Sequence, residues 1–215
     1  MNSIVIMGRR GSGKTYLMSY LIYTRAQHSL SIDTLGDMEK IHKPFILKIH
    51  TIPNIRLMIA HYSIPIPDWI RASGMNSKEI AFNICDLIMD YGKKGYFQYP
   101  FVIAIDEIQT YCDRFELMSP LNNIVNIGRH YNISFYVNSR RYPEIHKDFI
   151  GNAEEIFAGP TMDVNDIKRM CEIFGKDNTN RFVNRNIANS FLYRNNTDNV
   201  CIARVENNQL VLYEL

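Results

Sequence analysis

The residues best suited to binding a ligand stand near the amino terminus, in a segment with the spacing G-x-x-x-x-G-K-[ST]. Its members are Gly8, Arg9, Arg10, Gly11, Ser12, Gly13, Lys14 and Thr15, followed by Tyr16. Glycines allow main-chain N–H groups to point inward around an anionic phosphate, and the N-terminus of a helix adds a partial positive charge. We expect Lys14 to reach the β- and γ-phosphates of ATP and the Thr15 hydroxyl to bind Mg²⁺.

The elements around this segment favour a phosphate-binding loop over a chance glycine turn that carries a lysine. The apolar run IVIM at residues 4–7 precedes it, and a helical pattern follows over residues 16–26. A strand, a glycine-rich loop and a helix in that order are the context in which this motif binds nucleotides. The chain is therefore predicted to bind a nucleoside triphosphate.

A second candidate half of the site appears about ninety residues later, where an apolar run over residues 99–105 ends in Asp106 and Glu107. Such a run is typical of a strand buried on both faces. We expect Asp106 to hold Mg²⁺ through water and Glu107 to polarise the water that attacks the γ-phosphate. A kinase needs no such glutamate because its nucleophile is a substrate hydroxyl, so the pair favours hydrolysis. The alternative is an ordinary acidic turn after a core strand.

Composition agrees with a single α/β domain. The chain has 215 residues, of which 46% are hydrophobic and 21% charged, and its net charge is +2. We expect a nucleotide-binding core over residues 1–160 and a C-terminal helix and β-hairpin extension over 161–215. The sequence contains no run that approaches eighteen apolar residues, so we expect no transmembrane helix. The start of the chain does not resemble a signal peptide. The four cysteines are widely spaced, which favours reduced thiols over a disulfide framework or a zinc site.

Hydrophobic periodicity and capping residues predict the order of elements. The predicted core strands are 3–7, 30–33, 45–51, 99–107, 133–137 and 155–158. The predicted helices are 13–26, 76–92, 119–131 and 163–174. The predicted antiparallel strands are 190–193, 200–205 and 210–215. Residues 64–67 are apolar but interrupted by prolines, and residues 34–37 form a polar turn after Asp33, which is more simply a turn carboxylate than a site residue.

Residues 126–141, with the sequence NIGRHYNISFYVNSRR, carry a resemblance to a known family. Together with the two motifs above, they resemble the HerA/FtsK class of DNA-pumping ATPases, in which a helix of this pattern leads into a strand that ends in a polar sensor residue and then arginine. The layout is most similar to the genome-packaging ATPases of tailless internal-membrane viruses and to the zonula-occludens-toxin-like assembly proteins of filamentous phage. The resemblance covers residues 1–160. Many cellular members have glutamine at the sensor position, whereas Asn138 and Ser139 stand here.

The resemblance implies a RecA-like P-loop fold, with a mainly parallel sheet flanked by helices and C-terminal antiparallel strands. It also implies a homo-oligomeric ring, a hexamer or a pentamer, that acts on double-stranded DNA. The implied partners are capsid vertex or portal proteins, and the implied location is the host cytoplasm or the virion.

The same segment also supports roles for individual residues. Asn138 or Ser139, at the end of a strand beside that of Asp106, would contact the γ-phosphate or orient water. Arg129, near the end of a helix, would reach a neighbouring subunit's nucleotide, unless it only offsets the helix dipole. Arg140 and Arg141 are rival candidates, or a solvated surface pair.

Contact with DNA has the weakest support in the sequence. The basic residues of the last third are interspersed with acids, as on an ordinary solvated face. Lys93 and Lys94, just before the Asp106 strand, and Arg140 and Arg141 are the candidates for phosphate contact. Two other functions stay open: a filamentous-phage assembly ATPase, which usually carries a membrane anchor after this domain, and a nucleotide-dependent switch that moves nothing.

Overall fold

A computed structural model of the protein describes residues 2–36, 38, 46–48, 61–185 and 187–215, with only the backbone of 46–48. These residues form a ten-stranded sheet with the order β10-β9-β8-β7-β1-β6-β5-β2-β4-β3. The strands are β1 Ile4–Met7, β2 His28–Asp33, β3 Ile46–Lys48, β4 His61–Pro65, β5 Phe101–Ile105, β6 Ile133–Ser139, β7 Glu155–Ala158, β8 Ser190–Asn195, β9 Val200–Glu206 and β10 Gln209–Tyr213. All pairings among β1 to β7 are parallel, and β7 to β10 pair antiparallel.

Helices connect the parallel strands. They are α1 Lys14–Arg25, α2 Ile66–Ser73, α3 Ser77–Lys93, α4 Ser119–Ile127, α5 Lys147–Asn152, α6 Val164–Phe174 and α7 Lys176–Arg185. Short 3₁₀ turns follow β5 at Ile108–Thr110, follow α4 at Gly128–Tyr131 and follow β6 at Tyr142–Glu144.

The two faces of the sheet carry separate hydrophobic cores, because side chains alternate along a strand. Helix α1 covers one face, where Leu17 and Leu21 pack with Ile4, Ile6 and Val102. Helices α2 to α7 contribute to the core on the other face, whose members include Val5, Ile103, Ile84, Leu121, Phe149, Met170 and Phe182. Burial on both faces accounts for the nearly unbroken apolar runs of the central strands.

Capping residues set where two of the helices begin. Asn76 accepts a hydrogen bond from the Glu79 main-chain N–H at 3.0 Å, and the Glu79 carboxylate accepts one from the Asn76 N–H. This capping box starts α3, and a cap of this kind contributes about 1 kcal/mol. Asp163 likewise caps α6 by accepting from Asn165 and Asp166.

The predicted fold class, a mainly parallel α/β sheet with C-terminal antiparallel strands, is confirmed. The 155–158 strand has the bounds expected, and most other predicted elements agree within a few residues. The interpretation of residues 64–67 as a run outside the sheet was wrong. Residues 61–65 form β4, which ends at Pro65, and α2 begins at Ile66. Of the predicted 45–51 strand, only 46–48 are described, and Asp37 of the predicted turn also lies outside the described residues.

Three short helices were missed, namely α2, α5 and α7. Helix α5 has only six residues, and α7 is dominated by Asn, Asp, Lys and Arg, so neither shows a long apolar period. Both are held by single aromatic anchors, Phe149 and Phe182, which are fully buried. In the described part of the chain, no helix combines the length and apolar character needed to cross a bilayer.

Strand order brings the candidate motifs together. β1 lies beside β6, and β6 lies beside β5, so the ends of these three parallel strands meet at one edge of the sheet. We call this the carboxyl edge, and the opposite edge, where the same strands begin, the amino edge. Ligands of open parallel sheets bind at the carboxyl edge, next to a change in strand order.

Candidate functional site

The loop from Gly8 to Gly13 leaves the carboxyl end of β1 and enters α1. A Cβ atom at Gly8 would lie 2.8 Å from the Ser12 Oγ and 3.3 Å from the Gly159 Cα, so a side chain has no room there. Gly13 is the N-cap of α1 in the left-handed region, at φ 85°, where glycine is favoured. The close approach of backbone to backbone folds the loop into a cradle in front of the helix.

Two polar groups of this cradle fit a phosphate. The Ser12 hydroxyl is buried without a hydrogen-bond partner among the described residues. The Lys14 ammonium is buried, and its Nζ donates a hydrogen bond to the Arg9 carbonyl of the same loop at 3.2 Å. Burial lowers the pKa of Lys14, and the nearby Glu107 and Asp106 carboxylates oppose that shift. An oxyanion in the cradle would satisfy both groups.

The remaining loop residues surround the cradle. Arg9, Arg10 and Gly11 are exposed at its mouth, and Tyr16 is 40% exposed on the first turn of α1. Their predicted contacts with the nucleotide stay predictions.

Asp106 lies across from α1, at the carboxyl end of β5. Its Oδ1 accepts hydrogen bonds from the Thr15 hydroxyl at 3.3 Å and from the Asn138 Nδ2 at 2.7 Å. The Asn138 Oδ1 accepts from the Glu107 main-chain N–H at 2.9 Å, so one buried amide bridges both acidic residues. A hydroxyl and a carboxylate oxygen this close are a donor set that Mg²⁺ prefers, and the pair fits the predicted metal site.

The two candidate sensor residues, Asn138 and Ser139, have different surroundings in the structure. Asn138 lies against Asp106 and Glu107, whereas the Ser139 hydroxyl donates to the Arg141 carbonyl at 3.0 Å. Alternation along β6 is the reason, since neighbouring residues point to opposite faces. Asn138 is therefore the better candidate for the sensor role.

Glu107 is buried in a strained conformation, with φ 54° and ψ 56° in the left-handed region. Such strain in a non-glycine residue is commonly found at functional sites. Its carboxylate lies 2.8 Å from the Arg140 Nε and accepts a hydrogen bond from the Gln109 side chain. The Arg140 N–H is not aligned with the carboxylate as a hydrogen bond, so the contact is an ion pair rather than a directed bond. Arg140 thus contacts the candidate base of its own subunit.

Burial is the main cause that raises the pKa of Asp106, to about 7. Hydrogen bonds from Asn138 and Thr15 oppose the shift, and the charges of Asp33 and Glu107 add to it. The folded protein therefore holds a proton that the unfolded chain releases between about pH 4 and pH 7. In the absence of a cation, ionisation of Asp106 destabilises the fold as pH rises through this window.

This pKa leads to a prediction about Mg²⁺. Because only the ionised carboxylate binds the cation well, Mg²⁺ affinity of the nucleotide-free protein should fall about tenfold per pH unit below 7. We expect the rise in Tm caused by Mg²⁺ to be larger at pH 8 than at pH 6. Asp106→Asn should show a small Mg²⁺ effect at both values. An equal Mg²⁺ effect at pH 6 and pH 8 in the unmodified protein would contradict the assignment.

Two further residues support this site and were not predicted. The Thr34 hydroxyl donates to the Asp106 main-chain oxygen and shares a 2.8 Å hydrogen bond with the Tyr111 hydroxyl. Thr34 stands in the polar turn after β2, the only signal in the sequence. Asp33 behaves as a turn carboxylate, as the simpler interpretation expected: it accepts from the main-chain N–H groups of Gly36 and Met38.

The candidate basic residues are split between the two edges of the sheet. Arg129 is exposed in the 3₁₀ turn that precedes β6, and Lys93 ends α3 ahead of β5, so both lie at the amino edge. Arg140 and Arg141 follow β6 at the carboxyl edge. The five residues of β5 alone separate the edges by about 17 Å. The candidates for phosphate contact are therefore divided, with Lys93 and Lys94 at the amino edge and Arg140 and Arg141 at the carboxyl edge.

Comparison with solved structures identifies the fold that carries this site. No family profile and no curated protein matches the sequence. The genome-packaging NTPase B204 from Sulfolobus turreted icosahedral virus 2, solved with ATP-gammaS, is 14% identical with a TM-score of 0.73, over 94% of this chain and 96% of that one. The protein has the P-loop NTPase fold.

Two larger ATPase structures share this P-loop NTPase fold. EssC (ATPases 2 and 3) from Geobacillus thermodenitrificans is 13% identical with a TM-score of 0.60, over 99% of this chain and 39% of that one. The pCW3 conjugation coupling protein TcpA, solved with ATPgS, is 11% identical with a TM-score of 0.61, over 94% of this chain and 59% of that one. At these identities the likeness establishes the fold, and the resemblance stated above is confirmed at that level.

Proposed function

We propose that the protein is an Mg²⁺-dependent ATPase that works as a ring-forming motor and drives double-stranded DNA into a viral capsid. The observation that carries the proposal is the convergence of Thr15, Asp106, Asn138 and Glu107 in front of the phosphate loop. The fold shared with a genome-packaging NTPase over nearly the whole of both chains supports the choice of task.

The residues of the site would divide the chemistry as follows. The loop N–H groups and Lys14 bind the β- and γ-phosphates, and Thr15 and Asp106 hold Mg²⁺, which when bound offsets the charge on the phosphate oxygens. A water oxygen attacks the γ-phosphorus, the bond to the β–γ bridging oxygen breaks, and the water proton passes to Glu107. Asn138 fixes the positions of the Asp106 carboxylate and the Glu107 main chain relative to each other through its two hydrogen bonds.

The Arg140–Glu107 ion pair adds a requirement to this mechanism. The Arg140 Nε lies 2.8 Å from the Glu107 Oε2 and so occupies a carboxylate oxygen that would accept the proton. Glu107 must therefore part from Arg140 before it can take the proton. Arg140 is 43% exposed on its side chain, so it has room to move toward solvent or another anion.

The arginine that completes a neighbour's site would be Arg129. It is exposed at the amino edge, far from its own subunit's Glu107, whereas Arg140 and Arg141 already pair with carboxylates of their own chain. In the ring, a hexamer or a pentamer, the C-terminal extension and the core over residues 1–160 would act as one domain. Capsid vertex or portal proteins would receive the ring, in the host cytoplasm or on the virion.

A measurement of hydrolysis with and without DNA tests the proposal. We expect duplex DNA of any sequence to stimulate the ATPase, and binding to weaken steeply between about 50 and 200 mM salt. Solution mass should rise to that of a ring when an ATP analogue and duplex DNA are both present. A monomer or dimer whose slow hydrolysis ignores DNA would instead identify a nucleotide-dependent switch.

A further inference from the structure

An open groove of about 580 Å³ lies beside the ATP site, outside the residues assigned above to hydrolysis. Four segments line it: the loop after β5, the loop after β6, the start of helix α5 and helix α6. Its charged lining residues are Arg114, Arg141, Lys147, Lys168, Arg169 and Glu172. Five cations face one acid here, whereas the whole chain carries a net charge of only +2. The positive charge that the sequence disperses is concentrated by the fold.

Part of this charge is not neutralised by the protein. Arg169 pairs with Glu172 at 2.6 Å, and Arg141 pairs with Asp163 and Asp166 at 3.2 and 3.3 Å. Arg114, Lys147 and Lys168 have no ion-pair partner in the part of the chain that the structure describes, and all three are exposed. The Arg114 guanidinium lies 4.3 Å from the centre of the Phe115 ring, a contact that leaves its charge intact.

The groove is connected to the catalytic strands by short segments. Arg114 follows Glu107 by seven residues, through one 3₁₀ turn, and Arg141 is the residue next to Arg140. An anion bound near Arg141 would therefore attract the guanidinium that holds Glu107. Occupancy of the groove and the freedom of the base are coupled by charge.

We propose that this groove binds the phosphodiester backbone of duplex DNA, an inference that rests on the motor function proposed above. Cations from four segments match a row of phosphates, and such contacts need no base sequence. None of the described residues that line the groove is aromatic, and the neighbouring Phe115 ring lies against the Arg114 guanidinium, so the lining itself holds no ring on which unpaired bases could stack. The groove thus favours a duplex over a single strand.

The test is the double substitution Lys147→Gln and Lys168→Gln, which removes two exposed, unpaired charges. Binding of a short duplex should weaken for every sequence alike, and the plot of log affinity against log salt should become shallower by about 2. Lys147→Arg with Lys168→Arg should retain both affinity and slope, because the charges remain. The matched control is Lys176→Gln with Arg181→Gln, which removes two exposed charges of α7 that do not line the groove and should leave the slope unchanged. Thermal melts confirm that each variant folds.

The possible results test the assignment of the groove and the proposed motor function separately. If the protein binds duplex DNA and the Lys147/Lys168 pair of substitutions leaves affinity and slope unchanged, the groove assignment is overturned. It is also overturned if no duplex binds at low salt, if a single strand binds equally through these lysines, or if a mononucleotide at equal phosphate concentration displaces the duplex. If the duplex binds through the groove but does not stimulate hydrolysis, the groove stands and the motor function fails.

Discussion

Glu107→Gln should lower ATP turnover by about 10² or more while ATP still binds. Glutamine keeps the size of the side chain and its contact with Gln109, but it cannot accept the proton of the attacking water. Lys14→Ala should act differently, since it removes a buried cation from the phosphate cradle and should weaken binding of the triphosphate itself. Single-turnover hydrolysis and equilibrium binding of ATP measure the two effects separately.

Glu116→Gln is the matched control for the Glu107 substitution. Glu116 is an exposed glutamate nine residues farther along the same connection, and among the described residues no ion pair joins its side chain to the site. Its substitution should leave turnover within about twofold, as expected of a surface change. Hydrolysis by Glu107→Gln at the rate of the unmodified protein would mean that another group takes the proton.

Arg129→Ala should have the second large effect, a loss of about 10³ or more in turnover of the assembled ring, which is the scale of an arginine that completes a neighbour's site. Subunits that carry the substitution should also poison mixed rings, so that activity falls more steeply than the fraction of substituted subunits. The activity of the unmodified protein per subunit should rise with concentration, because an incomplete site needs its neighbour.

Arg140→Ala provides the comparison for this experiment. Its guanidinium contacts Glu107 of its own subunit, so mixtures should lose activity in simple proportion to the substituted fraction. Arg141→Ala should behave in the same way, since Arg141 is engaged with Asp163 and Asp166. Proportional dilution by Arg129→Ala would exclude its action in a neighbouring subunit.

Elements with a strong local pattern could be predicted, and those that depend on distant partners could not. The capping box at Asn76 and the apolar run before Asp106 are read from neighbouring residues, and both elements form as expected. Strand β4 escaped prediction because it ends in Pro65 and lies next to the edge strand, so its place comes from pairing with β2. Helix α7 is almost wholly polar and depends on the burial of Phe182.

The candidate site shows the same division. Sequence spacing singled out Lys14, Thr15, Asp106 and Glu107, because each belongs to a local pattern of strand, turn and helix. The sequence could not decide between Asn138 and Ser139, because both stand at the end of the same strand. They differ in the face of the sheet to which their side chains point, and only Asn138 contacts Asp106. The Arg140–Glu107 ion pair, which joins residues 33 positions apart, had no signal in the sequence.

What the amino-acid sequence determined by itself is the chemistry available: a phosphate loop, two carboxylates after a buried strand, and the order of strands and helices that carries them. The tertiary structure decided which charges act together. It set Asn138 between the Asp106 carboxylate and the Glu107 main-chain N–H, placed Arg129 and Arg140 at opposite edges, and gathered Arg114, Lys147 and Lys168 into one groove. The physical reason is that electrostatic interactions fall off over a few ångströms to about 10 Å in salt solution, a distance that strand order sets and that spacing along the chain does not.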